Sequence, residues 1–211
     1  MKAVPGESAE AGGVEEAARA MDLGGIVAFP TETVCGLGCR LDRPDAIRRL
    51  FELKGRPSDK PLQVLLSDPS LVPGVAEVPA HAALLLDRFT PGPLTLVLTS
   101  RIDVPELGAG GTIGVRIPDH PVALQLLRQS GPAAASSANL SGRPTPGSIP
   151  AVRELFGDSV DAYADGPPAP GGLDSTILDL TRDVPRVLRR GALAVADLEE
   201  ALGIGVGGGG C

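Results

Sequence analysis

The chain has 211 residues, which is enough to bury a full hydrophobic core and is typical of a single domain. A hydrophobic content of 43% indicates a globular protein. The net charge of −7 and the aromatic content of only 2% disfavour a general nucleic-acid binder or a stacking platform for single strands. The sequence has no apolar run of the roughly 20 residues needed for a membrane span and no signal-peptide pattern at its N-terminus, so we expect a cytoplasmic protein without membrane contact.

In chain order, the hydrophobic pattern interleaves helices with strands. We predict helices over 14–23, a segment after the capping residue Asp42, 78–89, 121–127, 149–156 and 195–202, and strands over 26–29, 62–66, 94–98, 112–118, 132–137, 175–180 and 186–189. Several strands follow one another through short turns, which favours an α/β fold with a mixed parallel/antiparallel sheet. We expect a flexible tail over 1–12, one domain over 13–204 and a glycine-rich tail over 205–211.

The cysteines give little support for a metal site. Cys35 and Cys39 are four residues apart, but the sequence has no second cysteine pair or histidine pair to complete a site. The odd count of three cysteines and the lack of an export signal indicate free thiols. We therefore predict no metal held by protein side chains.

Polar residues recur where the predicted strands end, as they do in the ligand crevices of α/β proteins. Ser and Thr also cap helices and close turns, so the pattern alone leaves both interpretations open. The residues are Thr31, Thr33, Arg116, Ser136, Ser137, Asn139, Ser175, Thr176, Arg189 and Arg190.

Three cations lie within seven residues just after the second helix: Lys54, Arg56 and Lys60. A helix C-terminus favours a cation, which accounts for Lys54, whereas Arg56 and Lys60 lie in a proline-bounded loop and could neutralise a phosphate. Arg116 lies between two apolar residues of a strand, so it either reaches solvent or pairs with an anion in a cleft.

The sequence offers no pair of nucleophile and base. No histidine stands near a serine or cysteine in a recognisable motif, and both the Gly-x-Ser-x-Gly and Walker A patterns are missing. Any nucleotide chemistry would therefore depend on positioning and on stabilisation of charge.

Seven motifs occur in an order that is similar to that of the YrdC/Sua5 family, the threonylcarbamoyl-adenylate synthases. They are PTETVCGLG (30–38), KGRPSDKPL (54–62), TPGPLTLVL (90–98), TIGVRIPDHPV (112–122), SSANLSGRPTPGS (136–148), DSTILDL (174–180) and VLRRGA (187–192). The resemblance covers the chain from about Val14 to Ala192.

The resemblance implies a twisted mixed sheet flanked by helices, with a large concave cavity. It also implies a nucleotidyltransferase that joins L-threonine, bicarbonate and ATP, giving L-threonylcarbamoyladenylate and pyrophosphate for the t6A modification of tRNA. Mg²⁺ would accompany ATP, with no tightly bound cofactor. The product would pass to the tRNA threonylcarbamoyltransferase complex, and any contact with tRNA would be weak or indirect.

The same resemblance assigns roles to individual residues. The implied catalytic residues are Lys54, Arg56 and Lys60. The implied L-threonine contacts are Thr31, Thr33, Arg116, Ala135 and Ser175. The implied ATP contacts are Arg56, Lys60, Thr112, Ser137, Asn139, Thr145 and Arg189.

Three residues depart from the family pattern. Cys35 stands where many members have an aromatic residue, Lys60 where some have Asn, and Leu65 where some have a threonine-contacting His. The chain also ends soon after VLRRGA, so it resembles the short, single-domain form, in which another element must close the site.

Two other functions occur on the same fold. One is the binding of structured RNA during ribosome maturation, which the negative net charge and scarce aromatics disfavour. The other is carbamoyl transfer in hydrogenase maturation, which the absence of acylphosphatase and zinc-finger segments disfavours.

Overall fold

The computed structural model describes residues 7–55, 61–104, 107, 111–167 and 172–208, with side chains described from residue 13 onward. Its helices are α1 (Glu7–Asp22), α2 (Pro44–Lys54), α3 (Ala80–Phe89), α4 (Pro121–Ser130), α5 (Ile149–Phe156) and α6 (Val195–Leu202). Its strands are β1 (Val27–Phe29), β2 (Gly36–Arg40), β3 (Gln63–Leu65), β4 (Leu94–Thr99), β5 (Thr112–Arg116), β6 (Ala133–Ser137), β7 (Ala162–Tyr163), β8 (Thr176–Asp179), β9 (Arg186–Arg189) and β10 (Gly207–Gly208).

The strands form one sheet in the order β10-β9-β8-β4-β5-β3-β6-β2-β1-β7. Parallel pairs, such as β3 with β5 and β4 with β8, stand beside antiparallel pairs, such as β4 with β5 and β2 with β6. This confirms the predicted mixed sheet flanked by helices.

The two faces of the sheet are covered unequally. Side chains alternate along a strand, so Val64 belongs to an apolar cluster with residues of α2, α3, α5 and α6, while its neighbour Leu65 belongs to a second cluster, on the opposite face, with residues of α1 and α4. On that second face the apolar cluster includes residues of β1, β3, β6 and β7 but none of β4, β5 or β8. An open region therefore remains above the centre of the sheet.

The glycine-spaced stretch after Thr33 is strand β2, which the sequence pattern did not predict. Glycine is unfavourable in strands, but here it makes room for the buried ring of Phe29 on β1. A Cβ at Gly38 would lie 3.0 Å from that ring and 3.2 Å from the Ala134 carbonyl oxygen, and one at Gly36 would lie 3.3 Å from the ring. Close packing between adjacent strands thus explains the Gly-Leu-Gly spacing.

The predicted helix cap at Asp42 is wrong. Arg43 occupies the N-cap position of α2 without a side-chain cap. The Asp42 carboxylate instead accepts hydrogen bonds of 2.9 and 2.7 Å from the guanidinium of Arg40, which also donates to Asp22. Arg40 therefore binds, through two hydrogen bonds, the carboxylate that would have capped the helix.

The ends of the chain also differ from the predicted tails. Helix α1 begins at Glu7 and not at residue 14, in a stretch (ESAEA) rich in the helix-forming residues Ala and Glu. Gly207–Gly208 pairs in parallel with β9. The division into domain and tails otherwise stays a prediction.

Cys35 and Cys39 are buried free thiols. Burial raises the pKa of Cys35 and raises that of Cys39 to about 12. Over the described ranges, no group of three or more His, Cys, Asp and Glu residues is arranged to hold a metal ion. None of the described helices combines the length and the hydropathy needed to cross a bilayer.

His120 precedes α4 and is 5% exposed. Its Nε2 lies 3.2 Å from the Pro167 carbonyl oxygen and must be the donor, since a carbonyl only accepts. Burial lowers the pKa of His120, and this effect outweighs the Pro167 bond and the carboxylates of Glu32 and Asp119, which raise it. The imidazole is therefore harder to protonate in the folded protein than in the unfolded chain.

Leu85→Ala should lower the free energy of unfolding by about 2–4 kcal/mol, because the Leu85 side chain is fully buried between α3 and the sheet. The neighbouring Leu84 is 43% exposed and provides the matched control. Leu84→Ala should cost less than about 1 kcal/mol. Urea denaturation of the two variants measures both values, and equal losses would contradict the assignment of the core face of α3.

His120→Gln should reduce the dependence of stability on pH. Because the folded pKa is lowered, the unfolded chain takes up the proton first as the pH falls below about 6.5. The contribution of His120 is thus fully present above that pH and is lost below it. Urea denaturation at pH 7.5, 6.5 and 5.5 should show a steeper fall for the wild type than for His120→Gln, with His81→Gln as the control at an exposed histidine. Parallel curves for wild type and His120→Gln would contradict this account.

Candidate functional site

A cavity of about 520 Å³ lies on the open region of the sheet. Its floor is formed by alternate residues of neighbouring strands. Its polar lining is Gln63, Thr95, Thr112, Arg116, Ser136, Ser137, Asp174 and Arg189, and its remaining lining is Val34, Pro61, Leu62, Val97, Leu107, Gly114, Ala135, Ile177 and Leu188. The lining thus combines apolar side chains with hydroxyls, an amide, a carboxylate and two arginines.

Five of the predicted site residues line this cavity: Thr112, Arg116, Ala135, Ser137 and Arg189. They come from strands β5, β6 and β9, which are far apart in the sequence. The sheet brings them together because β5, β3 and β6 are neighbours, while β8 and β4 connect β9 to them.

Arg116 forms the first polar corner of the cavity. Its side chain is 3% exposed, and its Nη2 donates a 2.8 Å hydrogen bond to Thr33 Oγ1. Thr33 Oγ1 in turn lies 3.0 Å from Thr31 Oγ1. Thr31 donates to the Val34 carbonyl (2.6 Å) and accepts from the backbone N–H of Thr33 and Val34 (3.3 Å each). Thr31 therefore closes the turn between β1 and β2, and that turn holds Thr33 against Arg116.

Glu32 is the counter-ion of Arg116 and was not among the predicted site residues. One carboxylate oxygen lies 2.8 Å from Arg116 Nη2, and the Glu32 side chain is only 16% exposed. In the sequence Glu32 stands between two threonines, and a glutamate in a turn is ordinarily a solvated residue. Only the ion pair with Arg116 on β5 shows that Glu32 belongs to this polar corner.

Arg189 forms the second polar corner. Its Nε donates to the Ser175 carbonyl and its Nη2 to Ser175 Oγ, both at 3.0 Å, and its Nη1 lies 3.1 Å from Asp174. Burial lowers the pKa of Arg189, while Asp174 raises it and Arg116 lowers it. The guanidinium is thus fixed through all three of its nitrogen atoms.

Two residues that the sequence did not single out connect Ser175 to the centre of the floor. Thr95 donates to Gln63 Oε1 (3.1 Å) and lies 2.8 Å from Ser175 Oγ. Since the proton of Thr95 is directed to Gln63, Ser175 donates to Thr95 and accepts from Arg189. Gly114 lies between Thr95 and Gln63, and a Cβ at Gly114 would be 3.4 Å from Thr95 Cγ2. In the sequence, Thr95 and Gln63 could have been found only as the single polar residue within each of two otherwise apolar predicted strands.

Lys54 is 1% exposed and is not among the cavity-lining residues. Its Nζ donates to the carbonyls of Ser137 and Asn139 and to Asn139 Oδ1, the last at 3.2 Å. Ser137 Oγ also donates to Asn139 Oδ1 at 2.6 Å. Lys54 therefore fixes the end of α2 to the turn after β6, and Asn139 supports the same turn.

The remaining predicted residues lie elsewhere. Ser175 is buried beneath the cavity floor, and Thr145 is partly buried and is not a lining residue. Arg56 and Lys60 lie outside the described residues. Leu65 pairs with Arg116 in the sheet and is 1% exposed, so an apolar side chain stands beside the first polar corner.

Comparison with known proteins gives several relatives. Threonylcarbamoyl-AMP synthase of Bacillus subtilis is 41% identical over 195 residues, which are 90% of this chain and 56% of the relative. That of Pyrococcus abyssi is 44% identical over 85% of this chain and 54% of its own length. A putative threonylcarbamoyl-AMP synthase of Mycobacterium tuberculosis H37Rv is 40% identical over 91% of this chain and 90% of its own. The chain thus spans about half the length of the first two relatives.

Solved structures agree with this relationship. Sua5 of P. abyssi in complex with L-threonine superimposes with a TM-score of 0.87 at 41% identity, covering 92% of this chain and 58% of that one. YciO of Escherichia coli gives a TM-score of 0.77 at 27% identity, covering 86% and 90%. The family model for Sua5, YciO and YrdC, described as "Telomere recombination", matches residues 19–191. The resemblance seen in the motifs is therefore confirmed, and the chain belongs to the Sua5/YciO/YrdC family.

Proposed function

We propose that this protein is an L-threonylcarbamoyladenylate synthase, which converts L-threonine, bicarbonate and ATP into L-threonylcarbamoyladenylate and pyrophosphate. The observation that carries the proposal is the presence of two fixed guanidinium groups, Arg116 and Arg189, at the wall of one cavity. An amino acid and a nucleotide each bring an anionic group that a guanidinium recognises. The relatives named threonylcarbamoyl-AMP synthase support the same reading.

The first corner is proposed to bind L-threonine. Arg116 would clamp the carboxylate, with Thr33 holding the guanidinium from behind. Ala135 lines the wall nearby, and the small side chain leaves space for the ligand. Ser175 is proposed to reach L-threonine from its place beneath the floor, and Thr31 is proposed to support the turn that holds Thr33.

The second corner is proposed to bind the nucleotide. Arg189, Thr112 and Ser137 line the cavity, and Asn139 holds the turn that follows Ser137. Arg56 and Lys60, which lie outside the described residues, are proposed to meet the phosphates, with Thr145 contacting the nucleotide and Lys54 supporting the site. Mg²⁺ retains waters and binds phosphate oxygens, so this ion is proposed to arrive with ATP and to neutralise phosphate charge.

The chemistry requires positioning and no covalent nucleophile. Bicarbonate takes up a proton and loses water to give CO₂. The L-threonine ammonium loses a proton, and the resulting amine attacks CO₂ and loses a second proton to form a carbamate. A carbamate oxygen then attacks the α-phosphorus in line, and the bond from that phosphorus to the bridging oxygen breaks as pyrophosphate leaves. Cys35 and Cys39 are buried with raised pKa values, so neither supplies a thiolate near neutral pH. The fixed arginines instead hold the reactants and stabilise charge.

The product is a mixed anhydride of a carbamate and a phosphate, which water hydrolyses readily. We therefore propose that it passes in the cytoplasm to the tRNA threonylcarbamoyltransferase complex.

The two alternative functions gain less support. HypF is similar in structure, with a TM-score of 0.74 at 20% identity, and a similarity at this identity shows only a shared fold.

Pyrophosphate release from ATP should require both L-threonine and bicarbonate, because the attacking carbamate needs both. Release measured with each component omitted tests this, and mass spectrometry of the adenylate identifies the product. A folded protein that binds ATP but releases no pyrophosphate under any combination would contradict the proposal.

Arg116→Ala should raise the Kd for L-threonine by about 10- to 150-fold, the effect of losing hydrogen bonds to a charged group. The Kd for ATP should change by less than about threefold. Isothermal titration calorimetry measures both constants. Arg88→Ala is the matched control, since Arg88 is an exposed arginine of α3 paired with Glu200. Equal losses for the two ligands in Arg116→Ala would count against the threonine role.

A further inference from the structure

Unpartnered buried polar atoms concentrate beside Arg116. Over the described ranges, the buried side-chain atoms without a hydrogen-bond partner are both carboxylate oxygens of Glu32, Nε of Arg116 and Nδ1 of His120. Glu32 and Arg116 are in contact at 2.8 Å, and Glu32 also interacts electrostatically with His120. Arg116 lines the cavity, and Glu32 and His120 are not among its lining residues. Folded proteins satisfy most buried polar groups, so unpartnered atoms next to a lining residue indicate that a ligand completes them.

The contact with Arg116 does not satisfy Glu32. Nη2 of Arg116 directs a hydrogen to Thr33 Oγ1 at 2.8 Å, and the 2.8 Å approach of Glu32 to the same nitrogen is an ion pair without hydrogen-bond geometry. Glu32 is therefore a desolvated carboxylate whose charge is balanced by a single guanidinium. Its two oxygens have the capacity to accept several further donors.

The charge balance at this corner constrains the ligand. If a ligand carboxylate binds Arg116, two negative charges share one positive charge in a buried place, which is unfavourable. An ammonium group beside that carboxylate restores neutrality and brings three N–H donors for the Glu32 oxygens. An α-amino acid zwitterion has both groups on adjacent atoms.

We propose that Glu32 is a specificity-determining residue that makes this corner select an α-amino acid over a carboxylic acid without an amino group. The proposal rests on the proposed function, which makes L-threonine the ligand. A hydroxy acid that occupied the corner could not form a carbamate and would only block the site. Glu32 thus rejects ligands that lack the reacting nitrogen.

The test compares L-threonine with (R)-3-hydroxybutyrate, which has the same carboxylate, hydroxyl and methyl groups but no ammonium. Calorimetry gives the ratio of the Kd for (R)-3-hydroxybutyrate to the Kd for L-threonine in the wild type, Glu32→Gln and the control variant Glu200→Gln. Glu32→Gln should reduce the ratio by about tenfold or more, because the amide removes the charge that favours the ammonium. Glu200→Gln should leave it within about threefold of wild type, since Glu200 is an exposed carboxylate that pairs with Arg88 and does not line the cavity.

An unchanged ratio in Glu32→Gln would overturn the proposal. If Glu32→Gln does not fold, the wild type alone decides the question with L-2-aminobutyrate, which keeps the ammonium and lacks the hydroxyl. That ligand should bind at least about tenfold tighter than (R)-3-hydroxybutyrate, and the reverse order would overturn the proposal. A folded wild type that binds no L-threonine would instead refute the proposed function.

Discussion

Unequal coverage of the sheet determines where this protein can bind a ligand. Strand alternation sends Val64 to a face covered by four helices and Leu65 to a face that α1 and α4 cover in part. On the uncovered region, alternate positions of β3, β4 and β5 point into open space, and they carry Gln63, Thr95 and Arg116. The cavity therefore follows from which helices pack where, and its chemistry follows from the few polar residues placed at alternate positions of apolar strands.

Each arginine of the cavity is held by its own carboxylate: Arg116 by Glu32 and Arg189 by Asp174. The two corners are therefore preformed, and each has a charge close to neutral before a ligand arrives. Preorganised donors need little rearrangement when charge develops, which is the arrangement that favours catalysis by positioning. The two pairs differ in one respect. Arg116 is nearly buried, whereas the Arg189 and Asp174 side chains are both more than 40% exposed.

The sequence predicted the strands with apolar runs and the polar residues at strand ends, because both signals are local. It did not predict β2, since the reason for its glycines is the ring of Phe29 on the adjacent strand. It placed the Asp42 cap wrongly, because Asp42 pairs with the guanidinium of Arg40, which also binds Asp22 of α1. Glu32 and Gln63 were missed for a related reason: a lone polar residue does not reveal which face it occupies until its strand partners are known. The roles of Arg56 and Lys60 stay predictions.

Gly114 has a further consequence for the shape of the cavity. It lies on the floor between Thr95 and Gln63, and an added Cβ would meet Thr95 Cγ2 at 3.4 Å and Gln63 Cβ at 3.8 Å, both ordinary contact distances. The sheet can therefore accept a methyl group at this position, and the cavity would become shallower by that group while every charge stays in place. Residue 114 is thus a position where the depth of the binding site can be engineered separately from its electrostatics.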